Sequence, residues 1–203
     1  MRLLPETIRN ITKKCIRTDK NMQFTEQKIK GVWVIEPVVH LDPRGYFMEA
    51  YKQVDFEKYI GKVNFIQDNE SKSSYGVLRG MHAQAGDACQ AKLVRVIVGS
   101  VLDVVVDARR DSKTLGQYVA VELSAENKRQ LFVPHGMYHG FLVLSQEAIF
   151  NYKVDNIYRP ETEIALNFAD PTVNIKWPIP SEEYVLSPKD NISPFLKEAY
   201  LFE

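Results

Sequence analysis

Residues 92–108 read Lys92-Leu93-Val94-Arg95-Val96-Ile97-Val98-Gly99-Ser100-Val101-Leu102-Asp103-Val104-Val105-Val106-Asp107-Ala108. β-Branched side chains are stiff at χ1 and fit a pleated sheet better than a helix. Two Val-rich runs, Lys92–Val98 and 101–108, flank Gly99-Ser100, and a two-residue spacer of this kind is a hairpin signal. The expectation is a pair of antiparallel strands joined by a tight turn. The same punctuation continues outward. Val32-Trp33-Val34-Ile35 is β-branched and aromatic and ends before Pro37. Residues 117–123 set Tyr118, Ala120 and Glu122 against Val119, Val121 and Leu123, a period of two. Further apolar runs cover Gln130–Val133, 141–144 and 149–154. Only 54–60 reads as a helix, with Asp55 as its cap and Gly61 as its stop. Many short strands at close spacing predict an all-β sandwich, jelly roll or barrel with a few short helices. Pro171, Pro178, Pro180 and Pro188 mark a less regular C-terminal segment that wraps the sheets.

Bulk properties exclude several classes of function. The chain has 203 residues with 26 basic and 26 acidic side chains. Non-specific nucleic-acid binding draws its affinity from a basic excess, and none exists here. No apolar run approaches the ~20 residues needed to span a bilayer. Two cysteines, Cys15 and Cys89, are too few for a disulfide framework and fit a reducing, cytoplasmic setting. Residues 1–22 are locally basic, with Ile8, Ile11 and Cys15 at helical spacing. They are read as a loosely ordered or helical extension ahead of a single domain over 23–203.

Chemistry concentrates around the histidines. His82 lies in Val77-Leu78-Arg79-Gly80-Met81-His82-Ala83-Gln84, where alternation sets Arg79 and Met81 on one face and Gly80, His82 and Gln84 on the other. His135 and His139 lie in Val133-Pro134-His135-Gly136-Met137-Tyr138-His139-Gly140-Phe141, a Pro/Gly-rich crossing between strands. Two chemistries compete. A metal-binding jelly roll wants two histidines one residue apart, but Gln84 stands where the second would be, and the glycines disfavour a helical ligand pair at 135 and 139. Metal-free acid/base catalysis instead pairs His82, a base with a near-neutral pKa, with an acid such as Tyr152 and an oxyanion partner such as Lys92. A filled strand interior explains each of these residues equally well when taken alone.

Blocks in a fixed order add a further reading. Asp42-Pro43-Arg44-Gly45 with Glu49, Gln67-Asp68-Asn69, Leu78 through Gln84, Lys92-Leu93-Val94-Arg95, Ser124-Ala125-Glu126-Asn127-Lys128, Pro134 through Phe141, Tyr152-Lys153, Tyr158 through Glu163 and Leu186-Ser187-Pro188-Lys189-Asp190 together resemble the dTDP-4-dehydrorhamnose 3,5-epimerase family. The likeness runs from about Gly31 to the C-terminus. It implies a cupin-type jelly-roll homodimer that needs no metal or cofactor and acts on a dTDP-linked 4-keto-6-deoxyglucose-type sugar. By this resemblance His82 is the base, Tyr152 the acid, Lys92 the enolate partner, and Asp190 the group that orients His82. Arg44 and Arg79 match pyrophosphate ligands. Gln67 and Asn69, with Asp68 between them and Glu49 beside them, match thymine contacts. Tyr158 matches a base-stacking position. His139, Glu163 and Lys189 match further ligand positions, and Arg44 and Glu49 are expected to serve a neighbouring subunit's site. Three residues depart from the family pattern: Glu70 for His, Ala83 for an aromatic and His135 for Glu. A single-site epimerase, a non-catalytic sugar-nucleotide binding module and a metal-dependent cupin isomerase are the competing readings.

Overall fold

The computed structural model describes residues 21–203. The extension read over 1–22 therefore lies almost wholly outside the described residues. Met22, its last residue, packs against the apolar cluster that holds Phe56.

Thirteen strands follow in chain order among the described residues. They begin with β1 (Gln23–Glu26) and β2 (Trp33–Glu36), then a separate hairpin of β3 (Val39–Asp42) and β4 (Gly45–Met48). After helix α1 (Gln53–Tyr59) come β5 (Gln67–Ser74), β6 (Leu78–Gln84), β7 (Lys92–Val98), β8 (Ser100–Asp107), β9 (Tyr118–Ser124), β10 (Gln130–Val133), β11 (Met137–Val143), β12 (Glu147–Val154) and β13 (Glu163–Ala165). A short helix, α2 (Pro188–Asn191), lies near the C-terminus. Six strands form one sheet in the order β1-β2-β10-β7-β12-β5, and five form a second in the order β13-β6-β11-β8-β9. The pairings within both are antiparallel. The architecture is the predicted all-β jelly-roll sandwich.

Residues 92–108 do form two strands, but not a hairpin. β7 pairs with β10 and β12 in the larger sheet, whereas β8 pairs with β9 and β11 in the smaller. Gly99, at φ +77°, is the point where the chain leaves one layer for the other. Its Cα faces the Glu147 carbonyl so closely that a Cβ would stand 2.0 Å from that oxygen. The two-residue spacer is a true turn signal, but a turn does not fix which strands become partners. Burial does: β8 has Val101 and Val105 in the core between the sheets, and Val104 and Val106 in a second core on its outer side. A strand with two apolar faces belongs in the middle of a covered sheet.

That second core is made by the C-terminal segment. Leu166, Val173, Ile175 and Phe202 cover the outer face of the five-stranded sheet. The outer face of the larger sheet is covered by α1 through Phe56, which meets Ile35, Leu93 and Phe132. The N-cap of α1 is Lys52, one turn earlier than the expected Asp55. Asp55 instead sits in the first turn, where a carboxylate suits the positive end of the helix dipole.

The alternation read for β6 also fails at one point, and the site depends on that failure. Gly80 has φ +139°, and the register between β6 and β11 slips between His139 and Phe141. Met81 is fully buried in the outer core with Ala83, while Arg79, His82 and Gln84 line a cavity on the other side. The slip needs two glycines in contact. A Cβ on Gly80 would lie 2.6 Å from Gly140 Cα, and one on Gly140 would lie 2.7 Å from Arg79 O and 2.8 Å from Met81 Sδ. Gly140→Ala is therefore expected to destabilise the protein by about 1–3 kcal/mol through overpacking. Thermal unfolding measures it, and an unchanged midpoint would contradict the close approach.

Candidate active site

A cavity of about 530 Å³ opens between the two sheets. That size suits a small-molecule ligand. β6 contributes His82, Arg79 and Gln84, and β11 contributes His139. Across from them β7 contributes Lys92, and β12 contributes Tyr152 and Phe150. The loop after β12 brings Tyr158, β13 brings Glu163, and α2 brings Lys189 and Asp190.

His82 and Tyr152 come from opposite sheets, so they approach the cavity from two sides. His82 Nε2 is 2.6 Å from Asp190 Oδ1. Asp190 is 2% exposed, and its other oxygen accepts from Ser187 Oγ at 2.7 Å and from the Ser187 backbone N–H at 3.3 Å. The same two residues form a capping box around α2, so helix initiation and carboxylate orientation are one structure. With Asp190 accepting from Nε2–H, the lone pair of the imidazole lies on Nδ1. Burial depresses the His82 pKa below 6.5, although Asp190 pulls the other way. The ring is therefore neutral, the form a base requires.

Two other groups are shifted by the same dryness. Burial pushes the Tyr152 phenol up from 10, with Arg79 opposing. Burial also lowers Lys92 from its usual 10.5, with the Asp103 carboxylate opposing most strongly. Asp103 is fully buried and lies 3.0 Å from His139 Nε2, making a second histidine–carboxylate pair in the cavity wall. Glu163 is bridged to Tyr158 Oη and to Lys189 Nζ, and those donors hold its carboxyl below the usual range against its own burial. Arg79 Nε donates to Ser73 Oγ at 3.0 Å.

The cavity thus gathers His82, Tyr152, Lys92, Asp190, Arg79, His139, Tyr158, Glu163 and Lys189. The other five predicted residues lie elsewhere in this chain. Arg44 sits at the tip of the β3–β4 hairpin, its side chain 90% exposed and bonded to Asp42. Glu49 follows the hairpin and pairs with Lys52 at 3.6 Å. Gln67 and Asn69 are on β5, with Gln67 Nε2 donating to Asn69 Oδ1 at 2.7 Å. Asn69 stands opposite Tyr152 in the β5–β12 pairing, on the cavity's side of that sheet. Asp68 stands opposite Lys153 and accepts from its Nζ at 2.6 Å, on the reverse face. Of the departures, Glu70 and His135 do not line the cavity, and His135 pairs with Asp155 at 2.8 Å. Ala83 sits at the cavity wall with its side chain in the outer core.

Sequence reasoning passed over Asp103 and Ser187, and weighed Gln84 only as a poor metal ligand. Asp103 did carry a signal: it is the single charge inside the Val101–Val106 run, and a buried carboxylate needs a partner. Gln84 carried one too, since alternation set it on the His82 face, but its contacts with Arg159 and Thr162 lie far along the chain. Among the described residues no group of three or more His, Cys, Asp or Glu side chains is arranged to hold a metal ion, and no helix is long and apolar enough to cross a membrane.

Known proteins resemble this chain over most of its length. The family profile described as dTDP-4-dehydrorhamnose 3,5-epimerase matches residues 26–198. The dTDP-4-dehydrorhamnose 3,5-epimerase of Salmonella typhimurium is 51% identical over 176 residues, covering 86% of this chain and 96% of that protein. The crystal structure of the Elizabethkingia anophelis dTDP-4-dehydrorhamnose 3,5-epimerase superposes with a TM-score of 0.86 at 48% identity, covering 89% of this chain and 100% of the other. That of the Legionella pneumophila dTDP-6-deoxy-D-glucose-3,5-epimerase, in complex with dTDP-4-keto-L-rhamnose, gives 0.84 at 44%, covering 88% and 94%. The chain belongs to the dTDP-4-dehydrorhamnose 3,5-epimerase family.

Proposed function

We propose that the protein is an isomerase that inverts C3 and C5 of a dTDP-linked 4-keto-6-deoxy hexose. The observation that carries this reading is the approach of His82 and Tyr152 to one cavity from opposing sheets. Inversion needs a base on one side of the sugar ring and an acid on the other. His82 removes the proton from a carbon beside the C4 ketone. The bonding pair moves into the ring and charge collects on the C4 oxygen as an enolate. The Lys92 ammonium stabilises that charge by a charge-assisted hydrogen bond. Tyr152 then delivers its proton to the opposite face of the same carbon, leaving imidazolium and phenolate, which solvent returns to their starting forms. The substrate's own carbonyl is the electron sink, so the scheme calls on no cofactor. Arg79 is assigned to the pyrophosphate, which guanidinium geometry suits, Tyr158 to stacking on the thymine, and His139, Glu163 and Lys189 to further substrate contacts.

The homodimer belongs to the same proposal. Arg44, Glu49 and the exposed Tyr46 and Phe47 sit on or beside the outlying hairpin, with Phe47 65% exposed. Such a surface fits a second copy, and Arg44 and Glu49 would then complete the neighbour's cavity, with Gln67, Asp68 and Asn69 along its nucleotide end. We assign the enzyme to the cytoplasm, consistent with the free thiol of Cys89.

Incubation with dTDP-4-keto-6-deoxyglucose in deuterated water tests the reaction. Deuterium at both C3 and C5 is expected; deuterium at one carbon indicates a single-site epimerase, and none indicates a binding module. His82→Ala is expected to lower turnover by about 10²–10⁴-fold with dTDP affinity retained; near-normal turnover would assign the base elsewhere. Tyr152→Phe is expected to exchange deuterium while inverting C5 far more slowly. The acid limb of the kcat/KM profile should lie below pH 6.5, because burial depresses the His82 pKa and the base form persists to lower pH than in a free imidazole. Asp190 raises the imidazole pKa, so Asp190→Asn should move that limb to still lower pH while lowering the plateau. A shift upward would contradict the pairing. Mixing Arg44→Ala with His82→Ala subunits should recover about a quarter of wild-type activity if each site draws on both subunits; no recovery places Arg44 with its own chain's site.

A further inference from the structure

Gln84 is 4% exposed, yet it lines the cavity. Its Oε1 accepts from the backbone N–H of Arg159 at 2.7 Å and from Thr162 Oγ1 at 3.0 Å. A backbone N–H can only donate, so the amide cannot be turned over: its oxygen holds the loop and its nitrogen points the other way. No group in the described protein accepts from that Nε2. Nor is the nitrogen sealed in, since among the described residues no buried side-chain nitrogen or oxygen lacks a partner. An amide donor without a protein acceptor, on a side chain that is almost wholly buried and lines the cavity, is available to a ligand there.

We infer that Gln84 is a substrate-binding residue that donates Nε2–H to an oxygen of the bound hexose. The inference rests on the function proposed above and adds a contact to it. Gln84 is two residues beyond His82 on β6, past the slip at Gly80, so both side chains project from the same face about 7 Å apart. A hexose held against His82 therefore has its oxygens within reach of the amide. The same side chain positions the loop that carries Tyr158. Oε1 ties Arg159 and Thr162, Thr162 O accepts from Ala85 N at 2.8 Å, and Glu163 stands opposite Gln84 in the β6–β13 pairing. One amide thus serves two purposes: the oxygen is committed to the protein and the nitrogen to the ligand.

Gln84→Glu separates the two purposes, because it keeps the oxygen that holds the loop and replaces the donor with a second oxygen. At pH 8 its kcat/KM for the nucleotide-sugar is expected to fall about 10- to 100-fold, the cost of leaving a buried polar contact unmade. Affinity for dTDP alone, which lacks the hexose, should stay within about twofold of wild type on the same ground. Protonating the new carboxyl restores a donor, so the deficit should shrink as pH falls. Gln84→Met, of similar length and uncharged, removes the loop-holding oxygen as well, so it should lose at least as much without that recovery. Wild-type kcat/KM in either variant overturns the assignment. An equal loss of dTDP affinity in Gln84→Glu also overturns it, by reducing the residue to a loop anchor. Absence of deuterium exchange in the wild-type enzyme would instead refute the proposed reaction, so the two failures are distinguishable.

Discussion

The contact between Gly80 and Gly140 is the constraint on which the site rests. Two strands of a sheet normally hold their side chains in strict alternation, and a strand with one wet face then shows every second residue to it. β6 breaks that rule because its backbone and that of β11 meet with no Cβ between them. The slip turns His82 toward the cavity that Arg79 already faces, and sends Met81 and Ala83 into the outer core. Without it, a strand that keeps Arg79 in the cavity would turn His82 to the opposite side. A bulge beside a site is a common means of re-aiming a side chain, and here it places a guanidinium and an imidazole on one wall.

What the slip exposes, the C-terminal segment then completes. Asp190 lies 108 residues from His82 and reaches it because the segment folds back over the five-stranded sheet. Its carboxylate is shared between the imidazole and the first turn of α2. The short helix is poorly stabilised by its own length, so the capping box and the bond to His82 support each other. The same segment supplies Lys189, whose ammonium faces Glu163, and through it Tyr158. These residues of the cavity rim are therefore held by polar contacts between elements remote in sequence.

Dryness gives these groups their chemistry. The desolvation that depresses His82 and Lys92 also raises Tyr152. Burial disfavours whichever form is charged. One cause thus favours a neutral imidazole and a neutral phenol on facing sheets. Lys92 stays beside the Asp103 carboxylate, which opposes its loss of charge.

The strand pattern, the turn at Gly99 and the proline-rich wrapping segment were all legible in the order of residue types, because β-branching, period two and turn chemistry act over a few neighbours. The blocks around His82, Lys92, Tyr152 and Asp190 were legible through their resemblance to a family. Partner choice was not. The 92–108 pair looked like a hairpin, yet each strand joined a different sheet, because the outer core around Leu166, Val173 and Phe202 demands a strand buried on both faces and that core comes from residues far downstream. The alternation read for β6 failed for a similar reason: the glycine that permits the slip is on another strand, 60 positions away by number. Local sequence thus determined the kind of element and the inventory of reactive side chains. Tertiary structure decided which of them share a cavity, since that depends on backbone approach and burial between segments that no local pattern connects.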